Sequence, residues 1–217
     1  MRSIKRAKRT LLGVAGLLLT AAIGLSATYA WTHHEVEQPN NFHSHTTSVT
    51  IDEKTDGDLN VWLGAEEKKE VKFTNTGTSA VFLRVAWAET WTKPANPHVP
   101  TPEVILPSDN TNVVKTWTSS WQNDWEEGPD GWYYYKLVLP QGGSTADVLS
   151  KVNFAYPLPY DYSVSKYDLY FVAEVVQLSD EAVVNTAATQ LVFGRTATLS
   201  NTTQSNGAIT SGTVTWS

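Results

Sequence analysis

The sequence predicts an all-β protein, a jelly-roll-like β-sandwich, for the part of the chain that follows residue 45. Short segments of alternating apolar and polar residues recur along it, and clusters of Gly, Pro, Asn and Asp separate them. Trp and Tyr are frequent, at nine each in 217 residues, and they favour packed β-structure. No sustained helical period follows residue 30, so about seven to nine strands joined by turns are expected.

The strand predictions between residues 47 and 177 depend on this alternation. They are Thr47–Asp52, Glu70–Thr74, Ala80–Trp91, Val113–Trp117, Trp132–Leu139, Val148–Phe154 and Asp168–Gln177. The clearest long strand is the last of these.

The segments between and after these strands give weaker signals. Residues 92–112 contain five prolines and predict a long loop or an insertion in the domain. Asp180–Gln190 predicts one short helix with Ser179 as its N-cap. The tail 196–217 is rich in Ser, Thr and Gly, and only Gly212–Trp216 within it predicts a strand.

Residues 1–30 have the organisation of a cleavable secretory signal peptide. A basic segment comes first, the mostly apolar run 11–25 follows, and small residues end it at Ala30. The run is shorter than the roughly 20 residues that span a bilayer. The sequence therefore predicts cleavage between Ala30 and Trp31, and contact with a membrane only through the uncleaved signal. The basic residues are Arg2, Lys5, Arg6, Lys8 and Arg9.

The composition of the cleaved chain excludes several classes of function. The formal net charge of the whole chain is −6, and loss of the five signal cations takes it to −11. Nucleic acid is not expected as a partner, because phosphate binding depends on a basic surface. The chain has no cysteine, so neither disulfides nor thiolate catalysis are available. No cofactor is expected.

Residues 31–45 are interpreted as a flexible N-terminal arm that precedes the sandwich domain, 46–217. The arm is polar and contains four histidines, namely His33, His34, His43 and His45. Imidazole binds Zn²⁺ and Cu²⁺ well, but no HExxH motif is present, so solvated histidines are favoured over a metal site.

Two other groups of residues are candidate sites. Trp132–Tyr135 offers aromatic rings for a polysaccharide, but alternate residues of a strand face opposite sides, so core packing is favoured. The acidic residues Asp124, Glu126, Glu127 and Asp130 offer oxygen ligands for Ca²⁺ without the spacing of an EF-hand, so a solvated loop is favoured. No GxSxG motif is present, and no enzyme activity is predicted.

Several motifs, in order, resemble a known family of exported bacterial proteins. Ala27–Trp31 resembles the GTYAWF-like ending read by the SipW-type signal peptidase of Gram-positive bacteria. Asn41-Phe42 followed by Val49–Ile51 resembles the start of the first strand in the TasA and camelysin group. Further segments resemble BsaA-type proteins: Leu83–Glu89, Asp124–Lys136, Leu139–Thr145 and Tyr170–Gln177. The tail after Gly194 has no counterpart in that pattern.

This resemblance implies a secreted subunit of a biofilm matrix or pilus fibre. In such fibres the N-terminal segment of one subunit completes the sheet of the next, so copies of the chain form a head-to-tail polymer. Trp31, Val36 and Phe42 are then the candidate anchors of the donated strand. Two alternatives stay open: a monomeric secreted polysaccharide-binding module, and a metalloprotease of camelysin type.

Overall fold

Two antiparallel sheets face each other across a common core in the computed structural model, which describes residues 47–55, 66–96 and 102–217. The first sheet has the order β1-β2-β8-β5, and its strands are β1 (Val49–Thr55), β2 (Glu66–Asn75), β5 (Val113–Trp117) and β8 (Leu149–Phe154). The second sheet is built around β3 (Val81–Lys93), with β9 (Lys166–Gln177) along one side. On the other side of β3 lie β4 (Val104–Leu106), β6 (Trp125–Glu127) and β7 (Tyr133–Tyr135). The predicted all-β sandwich is confirmed.

A hairpin and three short helices complete the described fold. The hairpin strands are β10 (Ala197–Ser205) and β11 (Ala208–Trp216). The helices are α1 (Ser119–Asp124), α2 (Tyr160–Ser163) and α3 (Ala182–Phe193). The sequence predicted only one helix, so α1 and α2 are additions to that expectation.

The strand order follows a jelly roll in part. Without the short β4 and the hairpin, eight strands remain and can be counted from one to eight along the chain. A jelly roll places strands 1-8-3-6 in one sheet and strands 2-7-4-5 in the other. In this count β9 is strand eight, β8 is strand seven and β7 is strand six. The runs β9-β3-β7 and β2-β8-β5 keep this order. The first strand, β1, pairs with β2 instead of β9. The position beside β9 therefore holds no strand among the described residues.

The main core lies between the two sheets. Phe73 and Val71 of the first sheet and Val85 and Trp91 of the second are all fully buried there. Each such side chain contributes about 1.5–3 kcal/mol through removal from water. Because these residues come from strands far apart in sequence, the core forms only when both sheets are in register.

A second core lies on the outer face of the second sheet, which is the face that points away from the first sheet. Phe82, Tyr134 and Val176 point outward there and are covered by α3 and the hairpin, including Trp216. Arg84 fixes this layer, because its guanidinium donates to Glu174 at 2.7 and 2.9 Å and to the Phe193 carbonyl at 2.9 Å.

Two expectations from the sequence are corrected and a third is refined. Within the predicted loop or insertion 92–112, residues Val104–Leu106 form β4, which pairs with the end of β3. Ser179 is not the N-cap of α3; the helix begins after Glu181, and Ser179 instead bonds through its backbone to the buried Asn185 side chain. The strand predicted over Trp132–Leu139 is interrupted: β7 ends at Tyr135, Lys136 and Val138 bond with β11, and Leu139 pairs again with Val81 of β3.

Candidate strand-accepting groove

A groove runs between β1, the edge of the first sheet, and β9, the edge of the second. Among the described strands, β1 pairs only with β2 and β9 only with β3. The two edge strands lie next to each other at one end and leave a cavity of about 330 Å³. The groove is defined by the residues that line this cavity: Glu53, Lys69, Val152, Phe154, Tyr167, Asp168, Leu169, Tyr170 and Phe171.

The inside of the groove is the main core itself. Val152 and Phe154 come from β8, and Leu169 and Phe171 come from β9; all four belong to the core cluster and are buried. The groove thus reaches apolar side chains from both sheets. An extended segment placed there would bury its own apolar side chains against them.

The backbone of β9 presents hydrogen-bonding groups to the groove. The Leu178 amide donates to the Ala80 carbonyl at 2.9 Å, and the same register continues without a bulge to the pair Thr92–Lys166. Bonded and non-bonded pairs alternate in antiparallel sheets, so the odd-numbered residues of β9 direct their N–H and C=O groups away from β3. The amides of Leu169 and Phe171 therefore face the open side.

Ion pairs border the groove on both sides. Lys69 bonds Glu53 at 2.8 Å on the β1–β2 side, and Lys166 bonds Asp168 at 2.7 Å on the β9 side. The hydrogen bond to Asp168 raises the pKa of Lys166, so this cation persists to high pH. Exposed pairs of this kind stabilise little, and their charges remain available to an incoming chain.

A buried polar network holds the inner wall. The Tyr167 hydroxyl donates to Glu89 at 2.6 Å, and Lys115 Nζ lies 2.7 Å from both oxygens of that carboxylate. The side chains of Lys115 and Glu89 are only 5% and 13% exposed. Burial, together with the Glu89 carboxylate, raises the pKa of Tyr167, so it stays protonated and keeps donating. The network fixes the ring of Tyr167 beside the cavity.

The outer face of β9 next to the groove is apolar and open. Tyr170 and Val172 are each 53% exposed, and they lie opposite Ala88 and Ala86 of β3. An exposed apolar surface bordering a groove is typical of a contact site. Tyr170 belongs to both features, since its side chain also lines the groove.

The site residues predicted near the N-terminus lie outside the part of the chain that the structure describes. These are Ala30 and Trp31 at the predicted cleavage site, and the anchors Trp31, Val36 and Phe42. The same is true of His33, His34, His43 and His45. Their roles therefore remain predictions.

Trp132–Tyr135 does not form an exposed aromatic platform. Tyr134 and Tyr135 are buried, and the Trp132 ring stacks on the Arg84 guanidinium at 4.2 Å. The preference for packing over polysaccharide binding at this segment agrees with these positions.

Two acidic residues of the 124–130 region, Glu126 and Asp130, bond to other side chains of the chain, which a solvated loop would not require. Asp130 accepts a 2.6 Å hydrogen bond from Tyr134, and Glu126 pairs with Arg195 at 2.8 Å. Burial raises the pKa of Asp130, but the hydrogen bonds from Tyr134 and the Trp132 amide outweigh it, so the net pKa lies below the ordinary value. The carboxylates point to different partners. Within residues 47–55, 66–96 and 102–217, no group of three side chains is placed to hold a metal ion.

The groove residues were not identified from the sequence. Alternation along 166–177 indicates which side chains point into the core, and Leu169 and Phe171 follow that pattern. Which side of the strand lacks a neighbour depends on pairing with residues far along the chain, and no local pattern encodes it.

Two further findings bear on what the chain does. None of the helices in the described part is long and apolar enough to cross a membrane. No protein-family model, curated protein sequence or solved structure matches this chain, so the groove and its surroundings are the basis for inferring function.

Proposed function

We propose that this chain is a secreted structural subunit of a bacterial extracellular fibre, a biofilm matrix or pilus, which polymerises by N-terminal strand donation. Residues 31–45 of one copy lie in the groove of the next and pair with the free side of β9. The observation that carries the proposal is that no described strand lies on the side of β9 away from β3, while core residues line a cavity there.

The length of the arm suits the length of the edge. Fifteen extended residues, 31–45, reach about 50 Å. The 12 residues of β9 span about 40 Å at the ordinary strand rise. One arm can therefore follow the whole edge of a neighbour and still connect to its own β1.

The side chains of the arm also suit the groove. Val36 and Phe42 are six residues apart, so in an extended chain they face the same side, where they would meet Val152 and Phe154. Pro39 lies between them and cannot donate to a ladder. Pairing is therefore expected in two short stretches on either side of Pro39.

Donation between copies protects an edge that otherwise risks unspecific pairing. The contact is heterologous, because an arm on one surface meets a groove on another, and such contacts propagate as open filaments. Insertion of an arm into its own groove would instead give monomers, so the state of assembly separates the two arrangements.

Negative-stain microscopy of the chain beginning at Trp31 tests the proposal. The wild-type chain is expected to form fibres, and the double variant Val36→Asp/Phe42→Asp is expected to stay monomeric, because burying carboxylates against Val152 and Phe154 is unfavourable. The control variant Asn41→Asp/His43→Asp also places two carboxylates in the arm, on residues of the other face. It should still assemble.

Hydrogen exchange locates the contact. The amides of Leu169 and Phe171 should exchange more slowly in fibres than in the monomeric variant, whereas the Tyr170 amide, already bonded to β3, should change little. Fibres from the Val36→Asp/Phe42→Asp variant, or unchanged exchange at Leu169 and Phe171, would refute the assignment.

One observation favours the alternative of a polysaccharide-binding module. Tyr156 and Tyr160 are 77% and 76% exposed, within one turn-rich segment that ends in α2. Exposed aromatic rings of this kind can stack on sugars. Titration with soluble polysaccharides, comparing the wild type with Tyr156→Ala/Tyr160→Ala, distinguishes this function from fibre assembly, because the substitutions lie outside the groove.

A further inference from the structure

The C-terminal hairpin differs from β1 and β9, the other long edges of the described fold. Residues 196–217 contain no charged side chain and no proline. The other long edges carry charges: Asp52 and Glu53 on β1, and Lys166 and Asp168 on β9. Proteins ordinarily place charges or proline on edge strands to prevent pairing with another chain. The hairpin has neither protection.

Within the hairpin, β10 is the open edge. On its far side β11 is held by the segment 136–138, since the Val138 amide bonds the Gly212 carbonyl at 2.9 Å and the Val214 amide bonds the Lys136 carbonyl at 2.8 Å. On the side of β10 away from β11, no strand is present among the described residues.

The backbone of β10 directs free groups toward that open side. Thr196 and Ser217 exchange two hydrogen bonds, at 2.9 and 3.1 Å, so Ala197 and Leu199 point their amides away from β11. The Ala197 amide is covered, since it donates to Thr189 Oγ1 of α3 at 3.0 Å. Beyond this point the helix no longer covers the edge, and residues 200–208 are exposed.

Electrostatics indicate what this edge accepts. The chain is acidic, with a net charge of −6, or −11 after loss of the signal cations, so two copies repel each other over most surfaces. Among the long strand edges of the described residues, β10 is the one on which copies can meet without opposing charges; the other uncharged edge, β4, has only three residues. Its Ser, Thr, Asn and Gln side chains are donors and acceptors at once, so the edge is complementary to itself.

We propose that β10 is a self-association edge, through which two copies pair β10 against β10 in antiparallel fashion around a two-fold axis. This contact is separate from the groove and links neighbouring fibres side by side. A strand of nine residues with a register shift after Ser200 offers a short ladder. A single such contact is smaller than the roughly 1,200 Å² of a stable complex, so it is weak between free subunits and strengthens by repetition along fibres.

Cross-linking tests the proposal directly, because the natural chain has no cysteine. Thr203→Cys places a single thiol on the exposed part of β10, and Thr186→Cys places a matched thiol on the exposed side of α3. With a short bismaleimide, the chain with Thr203→Cys should give about tenfold more covalent dimer than the control, because pairing raises the local thiol concentration. Equal yields from both would overturn the proposal.

Charge exchange separates pairing from a loss of folding. Ser200→Lys or Ser200→Glu, each added to Thr203→Cys, should reduce the dimer, because like charges then meet across the two-fold axis. Mixing the Lys and Glu proteins should restore it. Failure of the mixture to recover would overturn the proposal even if both single proteins lose the dimer.

The measurement does not depend on strand donation. Cross-linking through β10 can be read on single subunits and on fibres alike. A normal Thr203→Cys dimer with no fibres would count against the donated arm alone.

Discussion

The ion pair between Lys115 and Glu89 gives a sharp test of how the groove wall is held. Lys115 lies on β5 and Glu89 on β3, so their contact joins the two sheets across the core. Lys115→Met removes the cation and keeps most of the side-chain volume. The Glu89 carboxylate is then left at 13% exposure with the Tyr167 hydroxyl as its remaining partner in this network.

The expected cost follows from burial. Removing one partner of a buried ion pair typically costs about 3–5 kcal/mol, because the other charge stays without compensation. The lower end, about 3 kcal/mol, applies here because Tyr167 still donates to the carboxylate. Glu89→Met should cost about the same, whereas the double variant should cost only about 1 kcal/mol, because no charge is then left behind.

Urea unfolding followed by tryptophan fluorescence measures these free energies. Lys93→Met is the matched control: Lys93 pairs with Asp161 at 2.6 Å, but the two side chains are 34% and 54% exposed. Loss of that pair should change the free energy of unfolding by less than about 1 kcal/mol. The reasoning fails if Lys115→Met behaves like Lys93→Met, or if the double variant loses as much as both single variants together.

Two further predictions concern other buried polar groups. Burial and the nearby Asp124 carboxylate raise the pKa of Tyr135 from 10.0 to about 12, so the folded chain should lose stability from pH 10 to about 12 as the unfolded chain ionises first. Tyr135→Phe should flatten that part of the curve of unfolding free energy against pH; an unchanged slope would contradict it. Asn75 is fully buried and donates to the carbonyls of Ser79, Leu139 and Pro140 at 2.8–3.1 Å. Asn75→Ala should lower the free energy of unfolding by about 2 kcal/mol, measured by thermal or urea unfolding. Asn75→Asp should lower it more at pH 7, because a carboxylate would face those carbonyl oxygens. A loss no larger for Asn75→Asp than for Asn75→Ala would contradict the expected repulsion.

Strands with local alternation could be predicted from the sequence. β5 matches its predicted bounds, Val113–Trp117, and β9 begins two residues before its prediction. In β9 every second residue from Tyr167 to Val175 is apolar or aromatic and packs in the core, and in β5 Val113 and Trp117 do so. Such signals need no knowledge of which strand lies next to which.

Of the hairpin, only the segment Gly212–Trp216 of β11 was predicted, although the sequence contains the signal of the whole hairpin. Asn206 and Gly207 both have positive φ, at 52° and 82°, as a tight two-residue hairpin turn requires, and Asn-Gly is typical of that turn. The Ser- and Thr-rich composition of the tail suggested an irregular segment instead. The composition is polar because most of β10 faces solvent.

Short helices and the groove were beyond local reasoning for different reasons. α1 has six residues, and its Thr118 cap precedes a Trp-rich segment without a helical period. The groove depends on β1 pairing with β2 rather than β9, a choice between distant partners. The arm, by contrast, was predicted from sequence alone, and its role stays a prediction.

The tryptophans near the groove have an optical consequence. Trp87, Trp117, Trp121 and Trp125 form a series with ring centroids 5.2, 4.9 and 5.3 Å apart, and the middle pair is stacked at 18°. Indole transition dipoles this close share their excitation, which produces a paired positive and negative band in circular dichroism. Because the series crosses from β3 to β5 and α1, that band pair reports the spacing of the two sheets without any added label.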